Sequence, residues 1–313
     1  MTLHSVSLAS AAAWLAAVAL TAQQAPAPLA DPLVKEHATV KLAPHTYVIP
    51  DGSVGLVPNV GIVVGSRGAL VIDPGLGRRN GEAVLREMRK VSPSGELFVT
   101  ATHFHAEHTT GWVALVPPGK YVGSSIQEAE FTADGAGQVR TFSQRSPMTA
   151  ELLQGAVGPK VDIRFDRDYR LDLGGVHVRF VVVGPTHTRG DTVMFVEEDG
   201  VLFSGDVVMN NSFLAATASS SIKAWLAAFD TMEPWRPKTI VPSHGPVGDG
   251  GLIAANRTVM QAIQTRARAL KAAGQSADDA AAAVQKELQA EHPGWPRANG
   301  IATAARSAYA EAP

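Results

Sequence analysis

The sequence predicts an α/β fold in which two β-sheets face each other and helices cover their outer sides. From about residue 38, short β-branched runs alternate with turns rich in Gly, Pro and Asn. Both halves of the chain run from strands to a helix and back to a strand. In each half one strand ends in an aspartate, Asp73 in the first and Asp206 in the second. The chain is therefore predicted to contain a weak internal repeat of two β/α halves, which favours the two facing sheets.

The first half is predicted to place a strand directly before a cluster of histidines. Strands are predicted over residues 47–49, 61–64, 69–73 and 97–99, and a helix over residues 80–90. The helix prediction depends on the amphipathic spacing of its apolar residues and on the Ser-Pro-Ser-Gly stretch that follows it.

The second half repeats this organisation after a stretch that is hard to interpret. Residues 124–160 are rich in Gly, Gln and Ser, with helices expected near 124–132 and 149–154; a connection of this length is often a functional lid. Strands are predicted over 161–165, 169–173, 176–184, 192–196, 201–204 and 239–241, with a helix over 222–232. The Ala-rich stretch 252–288 is predicted to be helical, to break at 274–276 and to pack on the sheet, so we expect one domain over 38–250 and a helical extension over 251–313.

The N-terminus has the pattern of an export signal. Residues 1–30 carry no Asp, Glu, Lys or Arg, and an apolar run over 6–22 precedes a Pro-rich stretch. The run is shorter than the roughly 20 residues of a membrane span and fits the apolar core of a signal peptide over about residues 1–25. We therefore expect an exported protein, periplasmic or secreted, without a stable membrane span after processing.

Composition narrows the class of partner. A net charge of −2 leaves no basic excess for neutralising phosphates, which argues against a nucleic-acid partner and favours a small-molecule substrate. The chain has no Cys, which excludes disulfides, thiolate ligands and a thiol nucleophile. Nothing in the sequence indicates an oligomeric state.

The predicted strand at 97–99 leads into a cluster of metal-binding residue types. His103, His105 and His108 fall within six residues, together with Glu107, although the whole chain has only ten histidines. Side chains at the carboxyl end of a strand lie where α/β sheets form ligand crevices. His is the commonest nitrogen ligand of zinc, so this spacing predicts metal binding, with His103 and His105 facing one point and Glu107 and His108 a neighbouring one.

Three more polar residues follow predicted strands in the second half. His187 lies after residues 176–184, Asp206 after 201–204 and His244 after 239–241, each among small or turn-forming residues. Together with the first cluster they supply five His, one Glu and one Asp. That set is enough for two metals, which in binuclear hydrolases lie about 3.5–4 Å apart and share a bridging carboxylate.

In these motifs the sequence resembles the metallo-β-lactamase-fold hydrolases over about residues 40–250. The family pattern is His-x-His-x-Asp-His, then Gly-x-x-His-Thr-x-Gly, an Asp after a strand, and His-Gly. The matching segments here are 103–108, 184–190, 203–206 and 244–245. The resemblance implies a four-layer αββα sandwich, and the helical tail is similar to that of exported members.

The resemblance also implies a role for each residue of the set. His103, His105 and His187 would bind one zinc ion, and His108, His244 and position 107 a second, with Asp206 as the bridging ligand. Asp73 matches a family Asp that orients a ligand from behind, as supporting residues around zinc usually do. For Asp191 the same supporting role and a simple turn role stay open.

Position 107 departs from the family pattern, because Glu107 stands where Asp is usual. The extra methylene moves the carboxylate outward by roughly 1.5 Å, against a tolerance of about 0.2 Å for metal–ligand distances. Either the loop adjusts and Glu107 still binds the metal, or the second site is weaker.

The reaction that this set predicts is metal-assisted hydrolysis. A metal-bridging hydroxide would attack a carbonyl centre, because zinc lowers the pKa of bound water to about 7. The family's substrates include β-lactams, lactones and other esters or thioesters; members with a Cys ligand are excluded, and the bridging Asp206 is more similar to glyoxalase II and lactonases. Two alternatives stay open, an iron-bearing redox member of the fold and a metal-depleted binding protein.

Overall fold

The computed structural model describes residues 30–92 and 94–313. The predicted signal peptide over residues 1–25 lies outside these ranges. Among the helices of the described ranges, none combines the length and the apolar character that crossing a membrane requires.

The described residues form twelve strands and eight α-helices. The strands are β1 Val40–Lys41, β2 Thr46–Ile49, β3 Val60–Val64, β4 Gly68–Ile72, β5 Glu96–Thr100, β6 Lys120–Ser124, β7 Ile163–Phe165, β8 Asp168–Asp172, β9 His177–Val182, β10 Thr192–Val196, β11 Val201–Gly205 and β12 Thr239–Pro242. The helices are α1 Gly77–Val91, α2 Ala106–Thr109, α3 Ser125–Ser143, α4 Pro147–Leu152, α5 Ile222–Met232, α6 Gly251–Ala272, α7 Ala277–Glu291 and α8 Asn299–Glu311. Short 3₁₀ turns lie at Thr110–Ala114 and Glu233–Trp235.

The strands pair into two sheets. The first has the order β1-β2-β3-β4-β5-β6-β7 and the second the order β12-β11-β10-β9-β8. Within the first sheet β4, β5 and β6 run parallel, and within the second β11 and β12 run parallel. Parallel neighbours end at the same edge of a sheet, so the residues that follow β4 and β5, and those that follow β11 and β12, are brought together in pairs.

The described residues form four layers, helix, sheet, sheet and helix, with an apolar core between each pair of neighbouring layers. The core between the sheets includes Leu70 and Phe98 from the first sheet and Phe180 and Phe203 from the second. The outer face of the first sheet packs on α1 through residues such as Val84. A third core covers the outer face of the second sheet with residues of α5, α6, α7 and α8. This arrangement is an αββα sandwich.

The predicted α/β class, the two sheets and the C-terminal helices are confirmed. The bounds of β10 and α5 agree with the predicted ranges 192–196 and 222–232. The sequence did not predict β6, and α3 continues to Ser143, past the predicted end at 132. Helix α8 lies within the predicted helical extension 251–313, although the sequence did not predict its bounds. Gly135 and Gly137 disfavour a helix there, and tertiary packing overrides that preference. The domain boundary at 250 stays a prediction, since α6–α8 share one core with the second sheet.

Glu87 attaches the N-terminal segment to α1. Its carboxylate is buried and accepts hydrogen bonds from the backbone N–H of His37 at 2.9 Å, from the hydroxyl of Thr39 at 2.6 Å and from Lys90. Burial by itself raises the pKa of a carboxyl, but these three donors outweigh it and lower the pKa of Glu87 to about 2.

We therefore expect Glu87→Gln to lower the free energy of unfolding by about 2 kcal/mol at pH 7. The folded pKa lies below the unfolded value of 4.5, so this contribution is present above pH 4.5 and is lost as the pH falls towards 2. Urea unfolding at several pH values measures it. Glu82→Gln, on the exposed side of α1, is the control and should change little; a difference between Glu87→Gln and wild type that persists unchanged at pH 2 would contradict the assignment.

Candidate metal centre

The seven residues of the predicted metal set meet at one edge of the sandwich. His103 and His105 follow β5, and Glu107 and His108 lie on the short helix α2. The other three, at positions 187, 206 and 244, follow β9, β11 and β12. The strand ends of both sheets thus carry residues that are far apart in the sequence to the same place.

The first group consists of His103, His105 and His187. Nδ1 of His105 lies 3.2 Å from Nε2 of His103 and 3.2 Å from Nε2 of His187. Two nitrogens that bind one tetrahedral zinc ion at about 2.05 Å are separated by about 3.3 Å. The spacing of these three imidazoles therefore fits a single metal ion.

The second group consists of Glu107, His108 and His244, whose candidate ligand atoms all lie within 4.8 Å of one another. Nε2 of His108 lies 3.7 Å from Oε1 of Glu107. Nε2 of His108 and Oε2 of Glu107 are buried without a hydrogen-bond partner among the described residues. Buried polar atoms without partners are rare in folded proteins, and a metal ion is one of the groups that satisfies them. The longer side chain of Glu107 still reaches this group.

Hydrogen bonds to the far side of four imidazoles leave one nitrogen of each available. Nδ1 of His103 contacts the hydroxyl of Thr102 at 3.1 Å, and Nδ1 of His244 contacts the carbonyl of Val57 at 2.9 Å. Nδ1 of His187 contacts the carbonyl of Ala215, and Nδ1 of His108 contacts Asp73. When Nδ1 donates its proton to these acceptors, Nε2 keeps the lone pair that a metal needs.

Asp73 is the common acceptor behind the second group. Its carboxylate lies 3.0 Å from Nδ1 of His108 and accepts from the backbone N–H of Thr102 at 2.7 Å and from the hydroxyl of Ser243 at 3.0 Å. This is the position that the sequence predicted for it, behind a candidate ligand and not among the candidate ligands. Burial opposes protonation of His108, but the charge and hydrogen bond of Asp73 outweigh it and raise the pKa of the metal-free imidazole to about 9, so a metal that binds Nε2 would have to displace a proton.

Asp206 lies between the first group and an arginine that the sequence did not predict. Its Oδ2 is 3.7 Å from Nε2 of His187 and accepts a hydrogen bond from Nη1 of Arg297 at 2.7 Å. Its Oδ1 is buried without a hydrogen-bond partner among the described residues. Burial opposes the charge, but Arg297 and the neighbouring imidazoles hold the pKa of the carboxyl well below its usual range. Asp206 is therefore an anion with one oxygen free to bind a metal.

One glycine allows this approach. Gly205 has φ +60°, and a Cβ there would lie 2.9 Å from Cβ of Thr102. The positive φ and the close neighbour both require glycine, so the strand end that carries Asp206 can come close to the loop that carries His103.

Asp191 organises its own turn. It is buried and accepts from the hydroxyls of Thr186 and Thr188 and from the backbone N–H of Thr188, and none of its hydrogen bonds goes to the ring of His187. Of the two roles left open by the sequence, the geometry favours the turn.

Helix α3 holds two of the loops in place, through residues that sequence reasoning missed. Nε2 of Gln127 donates to the carbonyls of Ala101, Thr102 and Gly190, and Glu130 accepts from the backbone N–H groups of residues 189 and 190. The stretch 124–160 therefore supports the site. No local sequence pattern distinguishes these two residues from ordinary helix surface.

A cavity of about 760 Å³ opens beside His105. It is lined by side chains of α3 such as Ile126 and Ala129, by Phe104, and by residues 217–219. Its size is that of a site for a small molecule, and its mixed lining accepts a ligand with both apolar and polar parts.

The comparison with known protein families agrees with the fold. The family model of the metallo-beta-lactamase superfamily matches residues 54–244, which is more than half of the chain. The protein belongs to the metallo-beta-lactamase superfamily.

The chain is also similar to individual proteins. It is 23% identical over 222 residues to the linear primary-alkylsulfatase of a Pseudomonas species, a match that covers 57% of this chain and 39% of the relative. A metallo-beta-lactamase from Pontibacter korlensis superposes with a TM-score of 0.58 at 22% identity, covering 71% of this chain and 98% of the other. The sec-alkylsulfatase Pisa1 from Pseudomonas sp. superposes with a TM-score of 0.62 at 17% identity, covering 87% and 49%. The chain thus spans about two fifths of the curated relative.

We expect Asp73→Asn to weaken metal binding at the second group by about 10–100-fold, because residues that support a metal ligand contribute on that scale. Equilibrium dialysis against zinc, with total metal measured by elemental analysis, gives the affinity. Asp166→Asn is the control, since that carboxylate is exposed and accepts only from Ser125. Unchanged zinc affinity in Asp73→Asn, with the protein folded, would contradict the role of Asp73.

Proposed function

We propose that the protein is an exported binuclear zinc hydrolase that acts on an ester-type bond at a carbonyl centre, such as that of a lactone, a β-lactam or another ester or thioester. The observation that carries this proposal is the pair of adjacent donor groups with Asp206 beside them. Three buried polar atoms of this set have no partner among the described residues: Oε2 of Glu107, Nε2 of His108 and Oδ1 of Asp206. The composition of residues 1–30 supports export.

The donor set fits zinc. All candidate ligands are imidazole nitrogens or carboxylate oxygens, the first group has the spacing of a tetrahedral site, and four imidazoles are oriented from behind. Imidazole and carboxylate also suit iron, so the redox alternative is decided by the metal that the protein contains.

Zinc held there would polarise the substrate and acidify a water molecule. The protein's own residues do the rest. Asp73 keeps His108 in one orientation, and the main-chain carbonyl of Val57 does so for His244. Burial raises the pKa of Glu107 when no metal ion is bound, and a bound cation would oppose this, because a carboxyl binds a metal in its deprotonated form.

A second candidate function is hydrolysis of a sulfate ester. The chain matches a primary alkylsulfatase in sequence and a sec-alkylsulfatase in fold. The cavity beside His105 has apolar side chains that suit an alkyl group. The carbonyl and sulfate candidates share the metal centre and differ in the group that is attacked.

Metal content and turnover measured on the same preparation test both candidates. We expect two zinc ions per chain, by elemental analysis of protein purified without added metal, and turnover of nitrocefin, of a lactone or of an alkyl sulfate. Iron in place of zinc would favour the redox alternative. One metal or none, with no turnover on any substrate, would contradict the proposal and favour a binding protein.

Substitutions at position 107 test the departure from the family pattern. We expect Glu107→Gln to reduce the zinc content from two ions to one and to lower turnover by at least about 100-fold, because it removes an anionic ligand. Glu107→Asp should keep both ions and a turnover close to that of wild type.

The control for these variants is Glu82→Gln, on the exposed side of α1. A large gain of activity in Glu107→Asp would show that the native second site is impaired. Full zinc content in Glu107→Gln would remove Glu107 from the ligand set.

A further inference from the structure

The C-terminal helical region places one cationic side chain in the metal centre. Arg297 lies in the segment 292–298 between α7 and α8, outside the range 54–244 that matches the family model. Its guanidinium contacts Asp206 at 2.7 Å, and the negative charges of Glu107 and Asp51 are also close enough to raise its pKa. The C-terminal helical extension therefore contributes a side chain to the candidate metal centre and also packs on the second sheet.

The guanidinium is only partly used by the protein. Of its five N–H donors, one donates to Asp206, and the described residues provide no other acceptor for it. The side chain is 26% exposed, so a ligand can reach the remaining donors. A guanidinium with free N–H groups in a fork is the side chain best suited to bind a carboxylate or a sulfate through two parallel hydrogen bonds.

The backbone conformation at position 297 gives no reason for an arginine there. Arg297 has φ 65°, in the left-handed region that disfavours residues with a Cβ. Glycine or asparagine would suit this turn better. A residue kept in an unfavourable conformation beside a site is a reason to assign it a function.

Neighbouring contacts hold Arg297 in this conformation. The backbone N–H of Phe213 donates to the carbonyl of Pro296, and the ring of Trp295 packs on that of Phe213 at 5.3 Å. A Cβ on Gly300 would lie 2.6 Å from the carbonyl of Leu214, so the start of α8 fits closely against this segment. Residues 213–215 thus form a second segment that packs on residues 292–298. Within it, the carbonyl of Ala215 contacts Nδ1 of His187, so the segment that positions Arg297 also orients a candidate ligand.

A chain of contacts through the first metal group connects Arg297 with the cavity. Contacts lead from Arg297 to Asp206 at 2.7 Å, from Asp206 to His187 at 3.7 Å, and from His187 to His105, which lines the cavity, at 3.2 Å. A substrate that reaches Arg297 with one end and the cavity with the other therefore spans the metal centre.

We propose that Arg297 binds the anionic oxygens of the substrate, a carboxylate or a sulfate, and that the protein acts on amphiphilic anions whose apolar part lies in the cavity. This assignment rests on the proposed function and names the substrate class of the same site. It accounts for the free N–H donors, the partial exposure and the unfavourable backbone of Arg297.

Calorimetric binding of three matched ligands to the full chain tests the assignment. The ligands are octyl sulfate, octanoate and neutral octanol, and the proteins are wild type, Arg297→Gly and Arg297→Lys. We expect Arg297→Gly to lower the affinity for whichever anion wild type prefers by at least tenfold and to leave the affinity for octanol unchanged. Arg297→Lys should be intermediate, because it keeps the charge but not the fork.

Arg236→Gly is the matched control. Arg236 is a second arginine with a positive φ, 48°, and it is exposed near the start of β12, at the end opposite His244. This variant relieves the same backbone conformation without touching the site, so it should bind all three ligands as wild type does.

Zinc content is measured on every sample, which separates this assignment from the proposed function. Wild type without zinc would contradict the binuclear hydrolase. Equal anion affinity in wild type and Arg297→Gly would overturn the assignment, and so would an equal loss for octanol and the anions. A loss of zinc in Arg297→Gly that accounts for the weaker binding would show that Arg297 only positions Asp206, and would also overturn it. The preferred anion distinguishes a sulfate substrate from a carboxylate.

Discussion

The metal centre depends on the burial of Asp73. This carboxylate is almost inaccessible, at 1% exposure, and a buried charge is stable only where donors surround it. The donors come from Thr102, His108 and Ser243, which follow β5, lie on α2 and follow β12. Satisfying one anion therefore fixes the relative positions of three segments and joins the two sheets at their common edge.

The same principle fixes the loops further out. Asn59 donates to the carbonyls of Pro242 and Gly245, and Asp51 accepts from the backbone N–H of Gly245, so the loop after β2 holds the turn that contains His244. Gln127 and Glu130 do this for the loops after β5 and β9. Ligand residues on loops are precise only when such partners lock them, and here the partners come from helices and loops of both halves.

The C-terminal helices contribute to the core and also to the candidate metal centre. They cover the second sheet with apolar residues such as Ile301, and their connecting segment carries Arg297 to Asp206. This segment lies outside residues 54–244, the part of the chain that matches the superfamily model. Such an arrangement lets one fold serve different substrates, which is why fold alone does not name the reaction.

The sequence by itself determined the α/β class and the two sheets, and it predicted the residue types of the candidate donor set. Short-range signals carry this information: three His and one Glu within six residues, and single polar residues directly after apolar runs. The ranges of β10 and α5 were legible for the same reason, since periodicity and turn residues act locally. Only the tertiary structure showed Gln127, Glu130 and Arg297 in the site. Their partners lie 25 to 91 positions away, and no local pattern encodes a contact that forms only when distant elements pack together.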